Sequence, residues 1–156
     1  MQPRQSADSS GSWASSESTR RSMRSNRGRD TAPELLVRRE LHARGHRYRV
    51  DHRPIPELRR RADIVFTRAR VAVFIDGCFW HGCPEHYTSP TSHADFWAAK
   101  ITANIARDSD TNTRLTSAGW TVIRVWEHEE PATAVLRIEK ALGSARRTTG
   151  RTTESP

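Results

Sequence analysis

The chain has 156 residues, a length that fits one domain, with 35% apolar residues, two cysteines and a net charge of +8. Two cysteines exclude a disulfide scaffold, and no apolar run is long enough for a signal peptide or a membrane span, so a reducing cytoplasm is the expected compartment. The excess of arginine favours a polyanionic partner, nucleic acid first, although basic tails are also common as solubilising segments.

In chain order, residues 1–29 carry six Arg against two acids and no periodic apolar pattern, which reads as a flexible basic arm. Thr31-Ala-Pro-Glu34 opens a helix: Thr31 can cap, Glu34 follows three residues later, and Pro33 lies in the first turn. Leu35, Leu36 and Leu41 supply its inner face and Gly45 ends it. Residues 46–53 look like a first strand, 54–56 a turn, 61–66 (RADIVF) a second strand and 71–76 (VAVFID) a third. A cysteine- and histidine-bearing loop follows. Residues 94–117 form a long helix through Phe96, Trp97, Ile101, Ile105 and Leu115, stopped by Gly119. Residues 120–126 (WTVIRVW) are a fourth strand, and 131–142 a last helix with Gly143 as its stop. The expected organisation is an arm (1–29), an α/β domain (30–142) with a small mixed sheet flanked by helices, and a disordered tail (143–156). Residues 38–70 hold 11 basic against 4 acidic groups, so the positive charge extends into the domain.

The run DGCFWHGCPEH, residues 76–86, gathers both cysteines, His81, His86 and the pair Phe79-Trp80 directly after the longest aliphatic stretch. Cys78, Cys83 and His86 offer soft sulfur and nitrogen donors that favour zinc over magnesium. A structural site needs a fourth ligand from elsewhere, and His128, just past the fourth strand, is the best candidate. His81 competes for a ligand place, and free cysteines beside solvent-facing histidines are the plain alternative.

Asp63 lies inside an apolar strand, where a carboxylate is costly unless it is paired, metal-bound or at the sheet rim. Asp76 ends the next strand, and acids at matching heights on adjacent strands can hold Mg²⁺ through oxygen. His81 can move a proton there. The competing reading of Asp63 is a buried salt bridge to Arg59, Arg60 or Arg61. Glu34 is explained by capping, and Asp108 reads as a surface acid within its helix. Phe79, Trp80 and Trp97 near a basic surface suit insertion into a base stack, although Trp97 also fits its helix's inner stripe.

The stretches STRRSMRSNRGRDTAPE, RRADIVF, VFIDGCFWHGCPEH, FWAAKITANIARD and GWTVIRVWEH, in this order and spacing, resemble the very short patch repair (Vsr) endonucleases. The resemblance implies a restriction-endonuclease-like fold, a structural Zn²⁺ and a Mg²⁺-dependent nick on the 5′ side of the thymine in a T:G mismatch. Such a mismatch arises by deamination of 5-methylcytosine. Carried over by position, Asp63 and the carbonyl of Ile75 look like the Mg²⁺ ligands, with Asp76 as a possible further one. His81 looks like the catalytic histidine, and Glu34 and Asp108 like acids that support the metal's waters. Phe79, Trp80 and Trp97 match the rings that enter the duplex, and Met23 matches a wedge from the opposite groove. Cys78, Cys83, His86 and His128 fall on the zinc positions. Some members carry Cys where His128 stands, some carry His where Asp76 stands, and Ala62 replaces a usual proline.

The leading expectation is therefore a DNA mismatch endonuclease, a nucleoid-associated cytoplasmic monomer with mismatch-repair proteins as candidate partners. The rivals are a zinc-stabilised DNA-binding module without catalysis and a nuclease of other site specificity.

Overall fold

A computed structural model of the chain describes residues 30–78, 80–87, 89 and 91–149. Met23 and Phe79, two of the expected wedge residues, lie outside the described residues, as does the basic arm.

The elements run α1 (Ala32–Ala43), β1 (Arg49–His52), β2 (Ala62–Phe66), β3 (Val71–Asp76), α2 (Ala94–Ser117), β4 (Thr121–Trp126) and α3 (Pro131–Thr149). The strands form one mixed sheet in the order β1-β2-β3-β4. The first two pairings are antiparallel, and β4 returns parallel to β3 after the long crossover through α2. The small α/β architecture expected from the sequence is present.

Both faces of the sheet are covered, which is why β2 and β3 read as nearly unbroken apolar runs. On one face Ile64, Phe66, Val71, Val73, Ile123 and Val125 pack with residues of α1 and α3. On the other, Val65, Ala72 and Phe74 pack with Leu115 of α2 and with Trp120.

Several local expectations shift. In α1 the inner face is Val37 and Leu41, with Glu34 on the same stripe; Leu36, one position off it, is exposed. Strand β1 begins at Arg49 rather than residue 46, because the preceding residues close the helix. Gly45 takes φ +82°, and the His46 amide donates to the carbonyl of Leu41. In α2 the inner stripe is Trp97, Ile101, Thr111 and Leu115, whereas Phe96 and Ile105 lie off it and are about half exposed. Helix α3 does not stop at Gly143 but continues to Thr149, so residues 143–149 of the expected disordered tail are helical. One glycine lowers helix stability by about 1 kcal/mol relative to alanine, too little to break a helix already anchored by Val135, Ile138 and Leu142.

The topology brings the start of β2, the end of β3 and the end of β4 to one rim of the sheet. Ligand sites in open sheets form outside the carboxyl ends of parallel strands, which here are those of β3 and β4.

Candidate active site and metal centre

At this rim Asp63 stands near the start of β2. The β2–β3 register ends at the pair Ile64–Val73, and beyond it the Ile75 amide donates to Asp63 Oδ2 at 2.6 Å. The contact between these residues thus runs through the Ile75 N–H, and the other Asp63 oxygen has no hydrogen bond among the described residues. The salt-bridge reading of Asp63 does not hold. Arg60 pairs with Asp110 and Arg61 with Asp51, and Asp63 forms no ion pair among the described residues. Burial pushes its carboxyl up from 3.8 to about 7, the Ile75 amide opposes this, and the carboxylates of Glu34 and Asp76 add to the rise.

Glu34 is 4% exposed and fully engaged. It accepts the Asp30 amide, the Thr31 hydroxyl and Arg38 Nη2. The capping role expected for Glu34 is therefore met in altered form, since Thr31 donates to Glu34 rather than capping an amide.

Asp76 and His81 meet Asp108 of α2. His81 Nδ1 lies 2.5 Å from Asp108 Oδ2 and 3.8 Å from Asp76 Oδ1. Asp108 reaches the sheet because it shares the stripe of Trp97, Ile101, Thr111 and Leu115 at helical spacing, so it is only partly exposed rather than a surface acid. Asn104 lies on the same stripe and donates to the Trp80 carbonyl, holding the loop against α2. Arg124 of β4, which sequence reasoning did not single out, contacts both acids: its Nη1 is 2.9 Å from Asp76 Oδ1 and 3.2 Å from Asp108 Oδ1. Burial raises the Asp76 carboxyl, and Arg124 works against that rise.

The second cluster gathers Cys78, Cys83, His86 and His128, with all ligand atoms within 4.8 Å of one another. His128 Nδ1 is 3.2 Å from Cys78 Sγ and 3.8 Å from Cys83 Sγ; His86 Nδ1 is 3.8 Å from Cys83 Sγ. Tetrahedral zinc with ordinary bond lengths puts sulfur and nitrogen about 3.5 Å apart. The other nitrogen of His128 faces Glu85 at 3.6 Å, the carboxylate backing usual for a metal-ligating histidine. Burial, then Cys83 and Glu127, push the Cys78 thiol up to about 12. A buried pair of thiols beside a carboxylate is a donor set that a dication relieves, so these residues fit zinc. His81, the competitor for a zinc place, belongs instead with Asp76 and Asp108.

Magnesium fits the oxygen side of the rim. Asp63 is largely buried, has no ion-pair partner among the described residues and is flanked by two carboxylates, so a hard cation would offset the charge collected there.

Of the rings, Trp80 is half-buried and sits edge-on to Trp97 at 5.7 Å, with Lys100 Nζ 5.7 Å from its centroid. Trp97 is buried, the packing role weighed for it above, while neighbouring Phe96 is 52% exposed. A cleft of about 690 Å³ lined by Arg47, Arg49, Arg68 and Tyr48 lies by the β2–β3 turn, at the other end of the sheet. No described helix is long and apolar enough to cross a membrane.

Comparison with known proteins identifies the family. Residues 14–86, including part of the basic arm, match the family described as DNA mismatch endonuclease Vsr. The chain is 47% identical over 124 residues to the type II nicking enzyme V.NaeI of Lentzea aerocolonigenes, covering 78% of this chain and 75% of the relative. It is 40% identical over 116 residues to the type II nicking enzyme V.XorIIP of Xanthomonas oryzae pv. oryzae, covering 74% and 83%. It is 35% identical over 108 residues to the DNA mismatch endonuclease Vsr of Escherichia coli, covering 69% and 67%. The protein is an endonuclease that acts on DNA, which removes the non-catalytic module from consideration. It belongs to the Vsr family.

Proposed function

We propose that this endonuclease nicks double-stranded DNA on the 5′ side of the thymine in a T:G mismatch, with Mg²⁺, and so begins very short patch repair. The observation that carries the reading is the His81–Asp108 pair at the same rim as Asp63. Its four-stranded mixed sheet with helices on both faces supports a restriction-endonuclease-like fold. The endonuclease domain spans residues 30–142, and the basic residues 1–29 add charge for the DNA backbone.

Asp63, with the carbonyl of Ile75, would hold the Mg²⁺, which when bound supplies Lewis-acid charge at the scissile phosphodiester. Asp108 accepts the Nδ1–H of His81, fixing the tautomer and leaving Nε2 as the atom that moves a proton at the phosphate. Glu34 holds Arg38 and the start of α1 in place beside Asp63. Cys78, Cys83, His86 and His128 would hold a structural Zn²⁺, which would pin the loop carrying His81. Trp80, together with Phe79 and with Met23 from the arm, wedges the mismatched step. Trp97, packed edge-on against Trp80, is the third ring of this wedge. A mismatched step is cheaper to unstack, which gives selectivity without base-edge contacts at every position.

The test is an oligonucleotide duplex with one T:G pair, incubated with Mg²⁺ and mapped for the cut. A nick 5′ of the thymine, absent on the matched duplex and lost with Asp63→Ala, is the expected result. A second reading draws on relatives named type II nicking enzymes: cutting at a fixed sequence irrespective of the mismatch. Equal cutting of paired and mismatched duplexes would favour it.

A further inference from the structure

Asp76, His81 and Asp108 have their ligand atoms within 4.8 Å of one another, an arrangement able to take a divalent ion. Two carboxylates and an imidazole also match the ligand chemistry of such ions. Yet a cation of the protein's own is already there. Arg124 Nη1 lies 2.9 Å and 3.1 Å from the two Asp76 oxygens and 3.2 Å from Asp108 Oδ1. One nitrogen therefore stands where an ion shared by both acids would stand.

Independent contacts fix this guanidinium. Its Nε donates to Asn112 Oδ1 at 3.1 Å, and its central carbon lies 4.3 Å from the centroid of Phe74. The Arg124 carbonyl accepts Arg137 Nη2. The side chain is only 20% exposed, and Asp76, 5% exposed, needs a countercharge to remain ionised. A flexible surface pair would show none of this support.

We propose that Arg124 is the built-in cation of this cluster. It takes the place that a divalent ion shared by Asp76 and Asp108 would fill, so this cluster holds no ion of its own. Asp76 is then a partner of Arg124 and not a metal ligand. Like charge excludes a dication from the space the guanidinium fills, while the fixed arginine keeps Asp108 in place behind His81. Arg124 itself touches no reacting atom and is a positioning residue. The inference rests on the reading of Asp63 as the catalytic ion's ligand for its consequence, but not for its test.

The test counts Mn²⁺ bound to the full, zinc-loaded chain by electron paramagnetic resonance. Arg124→Met should bind one more ion per chain than its parent, and the same increment should appear when both carry Asp63→Asn. Arg124→Lys, which keeps a positive charge, should show no increment. Asp76→Asn should leave the ion count unchanged and weaken binding by less than about tenfold, the loss of one neighbouring charge and not of a ligand, a readout that holds even if the methionine variant fails to fold. No increment in a folded Arg124→Met, or a lost or about tenfold weaker ion in Asp76→Asn, would overturn the proposal. An unchanged count in Asp63→Asn alone would instead sink the Asp63 reading, so the two failures are separable.

Discussion

One short loop serves two clusters of opposite character. Asp76 and His81 turn toward α2 and meet Asp108, while Cys78, Cys83 and His86 turn toward the end of β4 and meet His128. The first cluster is hard, made of oxygen and imidazole with an arginine among the acids. The second is soft, made of sulfur and imidazole, and offers four protein donors, the number that a closed tetrahedral shell needs. A closed shell suits holding a fold, whereas a rim of acids beside a half-exposed histidine suits chemistry on a polyanion. On the proposed reading, the alternation of donor types along residues 76–86 separates structure from catalysis within a few residues. The link between them is mechanical, because the Cys78 and Cys83 backbones, joined through the Cys83 amide and the Cys78 carbonyl, bracket His81.

The comparison breaks most visibly if the soft cluster is damaged. Cys83→Ser should take bound zinc from one per chain to near none, measured by elemental analysis, and should abolish nicking by releasing the loop that carries His81. Retained zinc with normal nicking would dissolve the distinction between the clusters.

On the hard side the effects should be confined to catalysis. His81→Ala should slow nicking by about 10²–10⁴-fold, the usual worth of a positioned acid or base. Asp108→Asn, acting through His81, should slow it by about 10–100-fold. Both should keep full zinc content, and single-turnover rates beside elemental analysis check this.

Asp63 also ties the hard side to pH. Its folded carboxyl titrates near 7 against an ordinary 3.8, so between those values the folded chain holds a proton that the unfolded chain has lost. This group's contribution to the stability of the chain without Mg²⁺ therefore falls as pH rises across that window, by at most about 1.4 kcal/mol per pH unit, and levels off above it. Asp63→Asn should flatten the slope in urea unfolding measured from pH 4 to pH 8; an unchanged slope would contradict the burial argument.

The smallest effect sharpens the picture of the loop. Gly82 takes φ +63°, and an added Cβ would lie 3.1 Å from Ile105 Cδ1 and 3.2 Å from Ile101 Cγ2. Gly82→Ala should cost about 1–2 kcal/mol in chemical unfolding and lower nicking only in proportion to the folded fraction.

Much of this was legible in the sequence because the chemistry was concentrated. A run holding both cysteines and two histidines announces itself, and an acid within RADIVF violates the strand's apolar pattern. Other parts were hidden by register. Arg124 approaches Asp76 across a sequence separation of 48 because β4 lies parallel to β3, with Asp76 opposite Trp126 and Phe74 opposite Arg124. A signal was present, since Arg124 interrupts WTVIRVW as Asp63 interrupts its own strand. Asp108 was hidden differently: it shares an inner stripe with Trp97, Ile101, Thr111 and Leu115, and helix phase needed to be followed from the apolar residues to the polar ones between them. Phe96 and Ile105 misled for the same reason, lying one step off that stripe. The length of α3 was hidden because a glycine that ends one helix is tolerated within another.

The central claim is that Asp63 serves the chemistry and the cysteine–histidine cluster serves the fold. Its most direct test is Asp63→Asn, with zinc content, T:G duplex binding and Mg²⁺-dependent nicking measured on the same preparation. The account predicts unchanged zinc, retained binding and nicking reduced at least about a thousandfold, equivalent to about 4 kcal/mol of barrier. Nicking at the wild-type rate by that variant would contradict it.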